Sequence, residues 1–104
     1  MATLSDDVYQ KAPEKFRHAF ARYIEHGMPP GGFLIAVISN DLEGACGRGD
    51  DESRTMLFDL VSWLYNWAPS TCWGSEEKFQ DWIEHHRKQR EAASLGDVAA
   101  EVSR

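Results

Sequence analysis

Only one run in this 104-residue chain, Phe33-Leu34-Ile35-Ala36-Val37-Ile38, can be read as a buried β-strand. No other run offers it a partner, and an unpaired strand leaves its backbone groups without hydrogen bonds. A sheet is therefore excluded, and the chain is expected to be all-α. Proline and glycine then divide it into a compact bundle of about four helices with short connections.

Pro13 opens the first helix, and Phe16, Ala19, Phe20, Tyr23 and Ile24 form its apolar stripe. Gly27 suits the left-handed position after a helix, and Pro29-Pro30 prevents resumption. Gly31-Gly32 opens the second helix, whose stripe is Phe33, Leu34, Val37, Ile38 and Leu42. Gly44, Gly47 and Gly49 are expected to break the chain. Asp50, Asp51 and Ser53 then cap a third helix over about 54–67, with Met56, Leu57, Leu60, Val61 and Leu64 as its core stripe. Ser75 caps a fourth helix carrying Phe79, Trp82, Ile83 and His86, and its basic end 87–90 suits the helix dipole. The whole reads as a single helical domain over 1–104, with 1–12 and 95–104 as loose ends.

Charge narrows the function classes. The chain carries a net charge of −6 and a pI of about 5.1. Phosphate-backbone binding needs clustered Lys and Arg, so a nucleic-acid partner is disfavoured. A helix-turn-helix across Gly27–Gly31 fails for a second reason: the helix after it is too apolar for a major groove. No run approaches the ~20 apolar residues of a membrane span, and the N-terminus lacks a signal-peptide pattern. A cytoplasmic location is expected. Cys46 and Cys72 have neither CxxC nor zinc-finger spacing, which points to reduced thiols, no metal and no cofactor.

Candidate sites come from what the core does not absorb. Three of the four tryptophans fall in 63–73. Trp63 and Trp67 lie one turn apart, away from Leu60 and Leu64. Trp63, Asn66, Trp67 and Trp73 therefore remain as a partner-binding surface, since aromatic residues supply contact area at low entropy cost. Gly31 and Gly32, at a helix start, form a secondary candidate for a small anionic ligand. The competing reading of the glycines is a plain turn, and of the aromatics a cap on a small core that could also self-associate. Asn40, Asp41, Glu43 and Asp50–Glu52 do not match a calcium loop. Cys72 or one of His18, His26, His85 and His86 could serve a small hydrolase or transferase, but no spacing ties them to an acid or base.

The run Met28-Pro29-Pro30-Gly31-Gly32-Phe33-Leu34 with Ser39-Asn40-Asp41-Leu42, followed by Leu64-Tyr65-Asn66, Ala68-Pro69 and Cys72-Trp73-Gly74-Ser75, resembles short uncharacterised open reading frames of tailed bacteriophages and prophages. The likeness covers residues 20–84. It carries no assigned activity, and so no functional residue. It implies a setting: a phage-type accessory protein that binds a host protein, or sequesters a small anionic signalling ligand, to counter a host defence system. A non-enzymatic binding role in the host cytoplasm is the leading expectation. The hydrolase or transferase is the alternative, ahead of a helical nucleic-acid-binding regulator.

Overall fold

The structure is a computed structural model that describes residues 4–102, with side chains described for 4–93. Among the described residues it is all-helical, with no strand. The helices are α1 (Asp6–Gln10), α2 (Arg17–His26), α3 (Gly32–Ile38), α4 (Leu42–Arg48), α5 (Asp51–Thr55), α6 (Leu57–Trp67) and α7 (Glu76–Val102). A single 3-10 turn, Glu14–Phe16, precedes α2. The expected all-α fold is present, but its four helices become seven.

Two of the three extra helices, α4 and α5, have a local cause. The second expected helix divides because Asn40 takes a left-handed backbone, φ 61°, which asparagine tolerates better than most residues. The Asp41 carboxylate then accepts the Gly44 N–H at 2.9 Å and starts α4. Gly44 and Gly47 are consequently helical rather than breaks. The third expected helix divides at Met56, where ψ rises to 0°. Asp50 accepts the Ser53 N–H at 2.7 Å and brings the start of α5 forward to Asp51.

Residues 4–12 are not a loose arm. Tyr9 and Ala12 are buried. The Arg17 guanidinium holds this corner by donating to the carbonyls of Ala12 at 2.9 Å and Gln10 at 2.8 Å. At the other end, the α7 backbone stays helical through Val102, beyond the expected stop at 95. The rest of both expected loose ends, 1–3 and 103–104, lies outside the described residues.

The core gathers around α2. Phe20, Tyr23 and Ile24 meet Leu34, Val37 and Ile38 of α3, Leu60, Trp63 and Leu64 of α6, and Phe79 of α7. Tyr23 is tied at three points. Its hydroxyl donates to the Cys72 carbonyl at 2.7 Å. Its own carbonyl accepts the Trp82 indole N–H at 3.0 Å. Its ring stacks on Phe79 at 5.5 Å. Close by, the Gly74 N–H donates to the Ile38 carbonyl at 2.7 Å, which pins the 68–75 loop to α3.

Gly27 closes α2 with φ 68°, as its sequence position predicts, and the Met28 N–H reaches back to the Arg22 carbonyl at 3.3 Å. This glycine has a second constraint. A Cβ here would lie 2.5 Å from Cβ of His86 on α7, so the missing side chain lets the two helices approach.

Candidate functional site

Helix α6 positions most of the candidate residues. Eight of its eleven residues are large and apolar or aromatic: Leu57, Phe58, Leu60, Val61, Trp63, Leu64, Tyr65 and Trp67. At 100° per residue these cannot share one stripe. The inner arc carries Leu60, Trp63 and Leu64, all buried. The outer arc carries Phe58, Val61 and Tyr65, spaced i, i+3, i+7 on one exposed face.

Trp63 therefore belongs to the core, not to a surface. It is 2% exposed. Its ring lies between Phe20 at 4.8 Å and Tyr9 at 5.9 Å, and its indole N–H donates to the Val8 carbonyl at 2.9 Å. This tryptophan fastens α1 to the bundle. Val61 moves the opposite way, from expected core to the exposed arc. Leu42, expected to continue an apolar helix stripe, is instead 69% exposed at the start of α4.

Asn66 and Trp67 do reach the surface. The Asn66 amide donates to the Ser62 carbonyl at 2.8 Å, and the Lys11 ammonium sits 5.3 Å from the Trp67 ring centroid. With Trp63 they border an open concavity of about 450 Å³ between α6 and the α1–α2 corner. Its charges are mixed, Lys11 and Arg17 against Glu14 and Asp59, and Arg17 is occupied by backbone carbonyls. An anion finds no excess of free cations there.

The other candidates lie elsewhere. Trp73 is half-buried against the core. Gly31 borders a separate hollow of about 280 Å³ with His18 and Arg22. Gly32 begins a helix of only seven residues, and the Arg48 side chain leans across it. The expected aromatic surface thus divides, with Trp73 apart from Asn66 and Trp67, and the secondary Gly31-Gly32 candidate lies elsewhere.

Of the groups of the enzymatic alternative, His85 and His86 meet edge-to-face at 5.9 Å, and among the described residues neither is hydrogen-bonded to Cys72 or to an acid. Cys72 is fully buried, and burial pushes its thiol up to about 12, so it stays protonated at neutral pH. His86 is buried against Trp82, edge-to-face at 5.2 Å, and desolvation lowers its pKa. His18, His26 and His85 are exposed. Asp41 and Asp50 serve as helix caps. Both cysteines are free thiols. Among the described residues no cluster of three or more His, Cys, Asp or Glu could hold a metal ion. No helix among them is long and apolar enough to cross a membrane.

The feature that spacing alone missed is the outer face of α6. Phe58 is 80% exposed and Tyr65 78%. Val61, on the same arc, and Leu42 wall a shallow groove between α4 and α6, floored by Ala36, Val37 and Ala45. The available signal was the excess of apolar residues on α6, which requires a second apolar face. It did not say which arc turns inward. No protein-family model, curated protein or solved structure matches the chain.

Proposed function

We propose that this chain is a non-enzymatic binding protein that engages a protein partner through the outer face of α6. The observation that carries this reading is the exposed pair Phe58 and Tyr65, joined by Val61 and Leu42 on one side of the molecule. Two large aromatics held in water by a rigid helix gain most when a partner covers them. Asn66 and Trp67 are exposed on the other flank of α6, in the concavity toward the α1–α2 corner, and form a separate polar and aromatic surface.

A small anionic ligand is the weaker occupant. Most cations among the described residues are already engaged. Lys15 holds Asp50 and Ser53, Arg87 holds Glu84 and Glu91, Arg90 holds the His26 carbonyl, and Arg54 holds Asp51 and the Gly49 carbonyl. The same engagement weighs against nucleic acid, which draws on free Lys and Arg. In the setting implied by the phage resemblance, the partner is a host protein met in the host cytoplasm, and binding it counters a host defence.

The test is a pulldown from bacterial lysate with wild-type protein and a Phe58→Ser/Tyr65→Ser variant, each checked for native helicity by circular dichroism. A protein retained by wild type and lost with the folded variant is the expected result. Equal capture by both would remove the outer face of α6 as the binding surface.

A further inference from the structure

The concavity between α6 and the α1–α2 corner is chemically lopsided. Two charges of each sign line it, yet only the cations have found partners. The Lys11 ammonium sits 5.3 Å from the Trp67 ring centroid. The Arg17 guanidinium donates to the carbonyls of Ala12 at 2.9 Å and Gln10 at 2.8 Å. Among the described residues, Glu14 and Asp59 form no ion pair with these cations or with any other. The Asn66 amide nitrogen is engaged by the Ser62 carbonyl, which leaves its oxygen as an acceptor. What this space presents to a ligand is therefore acceptors and an aromatic face.

The two carboxylates enter from different sides. Asp59 stands on α6 and Glu14 on the 3-10 turn before α2. Both are exposed, and they share about 450 Å³. That volume admits a short aliphatic chain with an ammonium at each end. A single ammonium leaves one carboxylate unanswered. A bare metal ion needs more oxygen ligands than two carboxylates on separate elements supply.

Lys11 marks the third contact. Its place on Trp67 shows that this ring accepts a cation. Lys11 caps the C-terminal end of the five-residue α1 and is exposed, so its flexible stem can leave the ring for water. The lining then holds two acids against Arg17 alone, and the net charge of −6 adds a field that draws cations.

We infer that this concavity binds a free aliphatic polyamine, with one ammonium on Asp59, another on Glu14 and the chain lying on Trp67 in place of Lys11. Lys11 is thus a built-in competitor for the ring. The site is separate from the outer face of α6 and does not depend on the partner proposed for that face.

Isothermal titration calorimetry of the whole chain with spermidine, putrescine and butylamine, at fixed low ionic strength, tests this. Circular dichroism confirms that each variant is folded. Spermidine and putrescine are expected to bind one molecule per chain, and butylamine roughly tenfold more weakly because it lacks the second contact. Asp59→Asn, Glu14→Gln and Trp67→Leu each weaken spermidine several-fold. Lys11→Met strengthens it, since the ring is vacated and a positive charge removed. Glu43→Gln, on α4 outside the concavity, changes the chain's charge as Asp59→Asn does and leaves affinity within about twofold. Equal weakening by Glu43→Gln would overturn the inference by reducing binding to the field of an acidic chain. Weaker binding by Lys11→Met would overturn it by making Lys11 a ligand contact rather than a competitor. Butylamine as tight as putrescine would remove the two-ended ligand, and no binding of spermidine at millimolar concentration would remove the site.

Discussion

The two sides of α6 are nearly equal in apolar content and opposite in fate. On the inner side, Trp63 stacks on two rings and its indole N–H is satisfied by a carbonyl from 55 residues earlier. On the outer side, Phe58 and Tyr65 stand in solvent. Residue type does not separate them. What separates them is whether a distant element arrives to cover the face, as α1 and α2 do on one side only.

The largest expected effect breaks the sealed side. Trp63→Ala removes a buried ring and leaves Tyr9, Phe20 and the Val8 carbonyl without their partner. A loss of about 3–5 kcal/mol is expected in urea unfolding, with faster proteolysis near 4–12 as α1 undocks. Should stability stay within about 1 kcal/mol of wild type, Trp63 would not be the residue that seals this side.

Gly27→Ala attacks a second sealed contact, between α2 and α7. A left-handed backbone costs a non-glycine residue about 1–2 kcal/mol, and displacement of His86 by the new Cβ adds to it. Thermal unfolding reads the sum, and a neutral result would mean the helices separate there without cost.

His86 gives this α2–α7 contact a pH dependence. Burial lowers its pKa, so the folded protein keeps it neutral while the unfolded chain takes up a proton near the ordinary value of 6.5. The unfolded state therefore binds more protons as pH falls through that region, and stability decreases with it. Coulombic repulsion from His85, Arg90 and His26 acts in the same direction. Urea midpoints between pH 8 and 5.5 should fall for wild type and flatten in His86→Phe. An unchanged slope in that variant would assign the pH dependence to other groups.

The smallest effect sharpens the contrast. Phe58→Ser/Tyr65→Ser should alter folding stability by no more than about 0.5 kcal/mol per site, because both side chains are already in water. A loss of several kcal/mol in circular-dichroism melts would place them in the core and erase the difference between the two faces.

The fold was legible where its cause is local. Gly27 at a left-handed cap, the Pro29-Pro30 stop and Ser75 accepting the Lys78 N–H at 3.1 Å all follow from neighbouring residues. The division at Asn40 was not legible, since a left-handed asparagine competes closely with a continued helix. Nor was α1, whose five residues hold only because Tyr9 finds Trp63. The site was legible in part. An excess of aromatics beyond the core was readable, and Asn66 and Trp67 are exposed. The exchange of Trp63 for Phe58 and Tyr65 was not readable, because it depends on partners more than forty residues away along the chain.

The three ties of Tyr23 set a schedule for biosynthesis. Its hydroxyl waits for Cys72, its ring for Phe79 and its carbonyl for Trp82, partners 49 to 59 residues downstream. A nascent chain that stops short of Phe79 holds α2 with a phenol and a carbonyl unanswered, and has nothing to close over them. The ribosome must extend the chain past Trp82 before the centre can lock, so closure waits for α7 rather than progressing helix by helix.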